Sequence, residues 1–361
     1  MKWTSREHFR RCARLILGYH KRGVVDLIHA IKQRYKESVL QEAAARYGVT
    51  ADGVKAVGGW ESFVYQYNRD GRDYILKITH TIRRSESYLM GELEWLNFLA
   101  DGGIAVSRAV PSVGGHLVER IADGAEHAWL AMAYEKAPGH RVTAEDWNEA
   151  LFVDWGRLVG RIHRLTQSYR LSNPAYKRQE WYEEEQLNAR KYLPPHEAAV
   201  IARADQLMAQ LAQLPTPPDA YGLLHTDLHH GNFFVDQGRI TAFDFDDCGY
   251  NWFANDIGVL LICALDYPPR KAEEPAAFAT LFLKHFLRGY DQENRLDPYW
   301  LEQIRNFMLL RDLLWFISLY QAGEAADERS RLAERRQRIL EGRLAVEPDW
   351  GQFVHGTGGT K

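Results

Sequence analysis

Apolar residues at Leu27, Ile28, Ile31 and Tyr35 recur at the spacing of one helix face. Residues 39–47 are rich in Ala, Glu and Gln, and Gly48 stops the run. Residues 1–50 are therefore expected to form an N-terminal helical extension that caps the next domain. The period then changes. Phe63-Val64-Tyr65-Gln66-Tyr67 alternates, Asn68-Arg69-Asp70-Gly71 signals a turn, and Tyr74-Ile75-Leu76-Lys77-Ile78 reads as the second arm of a hairpin. A helix over 85–100 puts Leu89, Leu93, Leu96 and Leu99 on one stripe. Further strands are expected over 108–110, 116–119 and 129–134, with Ala137-Pro138-Gly139 breaking the last. This predicts a small antiparallel-sheet lobe with one helix over 51–133 and a hinge over 134–139.

From Thr143 the pattern is helical. Residues 152–165 carry Leu158, Ile162 and Leu165 on one face, and further helices are expected over 191–214, 276–290 and 301–321. The exception is 222–246, where two short strands flank Asp236-Gln237-Gly238-Arg239. The fold class expected is α+β and bilobal. A helical lobe would span 140–347, and a Gly-rich flexible tail 348–361.

Bulk properties narrow the function classes. The 361 residues carry a net charge of −3, 46% hydrophobic and 26% charged residues, which suits a globular protein and gives no footprint for nucleic acid or an acidic membrane. The longest apolar run, 257–265, is nine residues, too short to span a bilayer. Cys12, Cys248 and Cys263 are widely spaced and fit a reducing cytoplasm. Oligomeric state is not legible.

The chemistry concentrates in His225-Thr226-Asp227-Leu228-His229-His230-Gly231-Asn232, followed 12 positions later by Asp244. An Asp, an Asn five residues on and a second Asp beyond are the set that phosphoryl transfer from ATP requires. Asp227 is expected to take or orient the acceptor's hydroxyl proton. Asn232 and Asp244 are expected to hold Mg²⁺, which wants hard oxygens and accepts phosphates and waters for the rest. Lys77, a lysine on an apolar strand, is the candidate for the α- and β-phosphates, tied by Glu92 or, second, Glu94. Gly58-Gly59-Trp60-Glu61-Ser62 leads into the first strand, and Gly59 and Ser62 are candidates for covering the phosphates. His225 and His229 read as loop braces, and Asp256 as an N-cap or a brace beneath the loop.

Together these residues resemble the aminoglycoside phosphotransferase and choline kinase family over roughly 57–344. The resemblance implies a protein-kinase-like fold, and a nucleotide base held by backbone groups near Tyr134 to Lys136. It leaves ATP or GTP open as donor. Thr226 stands where regulated protein kinases have Arg, and Asp246 where they have Gly. Asp246 and Asp247 have two readings: they face a cationic substrate or a second Mg²⁺, or they are solvated.

Only 11 residues separate Asp244 from Asp256, little room for a peptide platform. The segment 171–195 instead carries Trp181, Tyr182, Glu183, Glu184 and Glu185. Such a wall suits an amine-bearing alcohol, with Trp181 and Glu184 as candidate contacts. Expected acceptors are aminoglycosides, choline or ethanolamine, and homoserine-like compounds. A Ser/Thr protein kinase of the same fold and a nucleotide-binding pseudokinase scaffold are the alternatives.

Overall fold

The computed structural model describes residues 22–59, 61–124, 126–322 and 326–354. Cys12, Trp60, most of the expected N-terminal helices before 22 and the glycines at 356, 358 and 359 lie outside the described residues.

The small lobe is an antiparallel sheet. Strands β1 (Val54–Gly58), β2 (Phe63–Arg69), β3 (Arg72–His80) and β6 (His127–Glu135) lie in that order, and β4 (Ala109–Val110) and β5 (Glu119–Asp123) both pair with β6. The β2–β3 hairpin places Val64 opposite Lys77 and turns at Asp70 and Gly71, both with positive φ. The strand expected over 116–119 instead begins at Glu119. Ser112 and Gly114–Gly115 hold the chain before it in a turn, in which the Ser112 hydroxyl accepts from Gly114 and His116 N–H. One sheet face buries Leu130, Met132 and Tyr134 under α3 (Glu86–Asp101), whose Leu89, Leu93, Leu96 and Leu99 are all buried. Ser85 caps this helix by accepting from Tyr88 N–H at 3.2 Å. The opposite face, with Leu76, Ile78 and Trp129, is covered by α1 (Arg22–Arg34) and α2 (Glu37–Arg46).

The large lobe is mostly helical. Its centre is α4 (Glu149–Thr166) against α8 (Pro275–Tyr290). Two glycines permit their close approach: a Cβ at Gly156 would lie 1.9 Å from Phe286 O, and one at Gly289 would lie 1.9 Å from Val153 O. The helix expected over 191–214 is two pieces, α5 (Ala189–Tyr192) and α6 (Ala198–Leu211). Pro194 and Pro195 separate them, because neither can donate a helical hydrogen bond. α7 (Phe253–Asp266), α9 (Pro298–Ala322) and α10 (Ala326–Glu341) complete the bundle. No helix among the described residues is long and apolar enough to cross a membrane.

Two small sheets interrupt the helices. β9 (Phe233–Asp236) and β10 (Arg239–Ala242) form a hairpin joined by β7 (His140–Arg141), and β8 (Tyr221–Leu224) pairs with β11 (Gly249–Trp252). Phe243 N–H donates to Asn232 O at 2.9 Å, so the two motif-bearing loops leave the same end of the hairpin.

Candidate active site

The loop 225–232 is braced from several sides. Trp155 on α4 donates its indole N–H to Leu228 O at 3.0 Å. Thr226 has φ 63°, a region that a β-branched residue occupies only when held there. Two bonds hold it: its N–H donates to Asp256 Oδ1 at 3.0 Å, and its hydroxyl donates to Asp247 O at 2.8 Å. Asp256 lies in the first turn of α7 and also meets buried His163 at 3.2 Å, so of the two expected readings the loop brace is the one observed. His225 is buried, 4.5 Å from the Phe245 ring centroid and 3.2 Å from Phe243 O. His229 Nδ1 accepts from Gly231 N–H at 2.9 Å.

Asp227 faces the cleft between the lobes. Its Oδ1 accepts from Arg311 Nη2 of α9 at 2.8 Å, and its Oδ2 lies 3.5 Å from His229 Nε2. Burial alone would raise its pKa, but His229 and Arg311 outweigh that and hold the carboxyl below the ordinary range. The Asn232 amide nitrogen is committed to Asp227, at 2.9 Å to its carbonyl and 3.3 Å to its carboxylate. That leaves the amide oxygen of Asn232 as the end available to a cation. Asp244 has φ 64°, and its side chain is 53% exposed.

Lys77 departs from expectation. Its Nζ lies 3.2 Å from Asp244 Oδ1 and 3.7 Å from Asp246 Oδ1, and the expected Glu92 ion pair is not formed. Two converging carboxylates hold the ammonium, while Glu92 Oε1 accepts from Tyr134 OH at 3.1 Å. Glu92 is 1% exposed, and burial raises its pKa. Its Oε2 has no protein partner among the described residues, and neither has the buried Ser62 hydroxyl. Gly59 has φ 107°, and a Cβ there would lie 2.1 Å from Ser62 O, so this turn requires glycine. Lys136 is engaged elsewhere: its N–H and Nζ both reach Asp73, at 3.2 Å each.

Asp246 is not solvated. It is buried against Arg83, which also binds Glu61, and Arg83 and Lys77 hold its carboxyl well below the ordinary range against the effect of burial. Asp247 keeps a half-exposed side chain in the cleft, 3.2 Å from Arg84. Fully buried Arg178 fixes this segment. It donates to Cys248 O and Tyr88 O, each at 2.8 Å, and to Asp246 O, and its guanidinium lies 3.5 Å from the Tyr88 ring centroid.

Beside Asp227 opens a cleft of about 390 Å³. Trp181 and Glu184 line it with Glu180, Glu183 and Glu185, and so does Arg311. Leu27, which also packs against the core on the outer face of the sheet, and buried Ile28 of α1 line it as well. Sequence reasoning missed Arg83, Arg178 and Arg311. Only Arg311 left a signal there, as half of an Arg311-Asp312 pair inside the apolar run of 307–317.

Residues 53–299 match the model of the phosphotransferase enzyme family. The chain belongs to this family. Amicoumacin kinase of Bacillus subtilis (strain 168) is 51% identical to this phosphotransferase over 336 residues, 92% of this chain and 100% of the relative. The solved amicoumacin kinase hAmiN, in complex with AMP-PNP, Ca²⁺ and Ami, matches it with TM-score 0.87 and 46% identity, covering 90% of this chain and 99% of that one. A microcompartment-associated aminopropanol kinase, at 22% identity and TM-score 0.67, covers 84% of this chain and 95% of its own, and shares the fold. The phosphotransferase is thus an ATP-dependent enzyme acting on a small molecule, with ATP and Mg²⁺ as its cofactors. The site's chemistry fits both groups: the exposed Asp244 carboxylate meets the Lys77 ammonium, Asn232 keeps its amide oxygen for a cation, and the buried Ser62 hydroxyl has no protein partner among the described residues.

Proposed function

We propose that this phosphotransferase moves the γ-phosphate of ATP to a hydroxyl of a small, amine-bearing molecule, with amicoumacin the first acceptor to test. The observation that carries this reading is the acidic cleft beside Asp227, lined by Glu180, Glu183, Glu184 and Glu185. The 51% identity to an amicoumacin kinase across that relative's whole length ranks amicoumacin ahead of aminoglycosides, choline, ethanolamine and homoserine.

In this reading Asp227 accepts the acceptor's O–H and takes the proton as the new O–P bond forms. The bond between the γ-phosphorus and its bridging oxygen breaks, and ADP leaves. Asn232 and Asp244 would hold Mg²⁺, which when bound would offset charge on the phosphate oxygens. Lys77 binds the α- and β-phosphates, and Glu92 becomes its partner once Lys77 leaves Asp244. Gly59 and Ser62 cover the phosphates. Backbone groups near Tyr134 to Lys136 hold the base. Trp181, Glu184 and Asp247 meet the acceptor's amine. The working units are the small lobe over 51–133, the hinge over 134–139 and the helical lobe over 140–347. The free, buried thiols of Cys248 and Cys263 support action in the cytoplasm.

The test is Mg²⁺- and ATP-dependent turnover against amicoumacin and the other acceptors, with Asp227→Asn as the blank. Expected is product with the wild type, and a fall in kcat of several orders of magnitude in the blank with nucleotide binding retained. Near-wild-type turnover by Asp227→Asn would remove Asp227 from the role. Phosphate found on protein instead would favour the protein-kinase alternative.

A further inference from the structure

We propose that helix α1 is a wall of the acceptor cleft and that Leu27 and Ile28 select acceptors carrying an apolar group besides the amine; the inference rests on the reading given above. α1 is pinned to the small lobe. Ile31 is buried in the core on the outer face of the sheet, with Trp129 and Ile78. Tyr35 stacks on Phe63 with centroids 3.6 Å apart and bonds the Tyr65 hydroxyl at 2.9 Å. Arg34 meets Asp123 at 3.1 Å. One turn before Ile31, Leu27 and Ile28 line the same cleft as Asp227.

The large lobe answers with aliphatic side chains of its own. Val259 of α7 and Leu310 and Leu314 of α9 line this cleft too. The cleft therefore combines an acidic segment, 180–185, with apolar positions supplied by both lobes. A small, fully polar amino alcohol satisfies the carboxylates and leaves half-buried Leu27 against water, beside the narrow edges that buried Ile28, Val259, Leu310 and Leu314 present to the cleft. An acceptor with an aromatic or aliphatic group covers them, and each such group adds binding roughly in proportion to the area removed from water. Phe63 begins the strand that follows the glycine turn, so the helix bearing Leu27 is anchored to the element that carries the expected phosphate cover. Acceptor selection is then partly a property of the small lobe.

The test compares KM for acceptor and for ATP in wild type, Leu27→Asp, Ile28→Ala and Ile31→Ala. The acceptors are amine-bearing alcohols with and without an aromatic group, amicoumacin included. Expected is better use of the apolar-bearing acceptors by the wild type. In Leu27→Asp their KM rises about tenfold or more, with kcat and the KM for ATP within about twofold of wild type. Ile31→Ala, which faces the sheet, is expected to lower Tm and leave the acceptor KM unchanged. Wild-type acceptor KM in both Leu27→Asp and Ile28→Ala overturns the inference, as does a parallel rise in both KM values. Wild-type preference for acceptors without an apolar group overturns it too, while leaving the amine reading standing. No turnover of any amine-bearing alcohol overturns that reading, and the inference with it.

Discussion

Arg311 and Asp227, 84 positions apart in the chain, form an ion pair of 2.8 Å inside the cleft between the lobes. His229 and this pair keep the carboxylate ionised; Arg311 fixes Oδ1, while Oδ2 lies 3.3 Å from the Asn232 amide and 3.5 Å from His229 Nε2, so the whole group is held in one orientation. A carboxylate held below its ordinary pKa is a weak base, so aiming the acceptor is the larger part of its proposed contribution. Arg311→Ala is expected to lower kcat by about 100-fold, the scale on which small misplacements act, with the KM for ATP within about twofold. Steady-state kinetics beside a melting curve decide this: a lower Tm with wild-type kcat would make the pair purely structural.

Asp244→Ala removes an exposed carboxylate that Lys77 already touches. The expected result is loss of the Mg²⁺-dependent part of the ATP-induced rise in Tm. Saturation at a hundredfold over Kd stabilises a native state by about 2.7 kcal/mol, enough to be read by differential scanning fluorimetry. An undiminished Mg²⁺-dependent rise would take Asp244 out of the metal site.

Arg178→Lys is expected to destabilise the protein by about 3 kcal/mol. A single ammonium cannot reproduce a planar fork that serves Tyr88, Asp246 and Cys248 carbonyls at once, and each buried acceptor left unpaired costs about 1–3 kcal/mol. Urea denaturation measures it. A loss below about 0.5 kcal/mol would mean that the segment does not depend on this side chain.

Burial lowers the pKa of His80 and of His225, so both stay neutral in the native state below the pH at which an unfolded chain protonates them. The unfolded state then binds more protons, and stability rises with pH through that window. Tm is therefore expected to fall as pH drops from about 7.5 towards 5.5, through the ordinary histidine pKa near 6.5. His80→Gln should make that fall shallower. An identical pH slope in the variant would show that His80 does not contribute.

The local rules of the chain carried much of the fold. Period-two alternation placed β2 and β3, the stripe of Leu89 to Leu99 placed α3, and fixed spacing brought Asp227, Asn232 and Asp244 to one end of a hairpin. The helix expected over 191–214 followed its apolar pattern and passed over the proline pair at 194–195, which splits it in the structure. What escaped were long-range ionic choices. Lys77 met Asp244 and Asp246 in place of Glu92, and Asp246 was taken up by Arg83, because partner selection depends on which charges the folded chain brings together. Arg178 sits in a segment full of charge, where no spacing sets it apart from a solvated residue.

The Arg178 fork also bears on how such an enzyme changes its preference over generations. The segment 171–195 that lines the proposed acceptor cleft is the same stretch whose arginine secures 246–248, next to Asp244. New acceptors can be gained by exchanging residues such as Trp181 or Glu184, but a deletion or replacement that removes Arg178 loosens the catalytic segment as well. Diversification in this stretch is therefore expected to proceed by point changes around a fixed anchor, not by wholesale exchange of the loop.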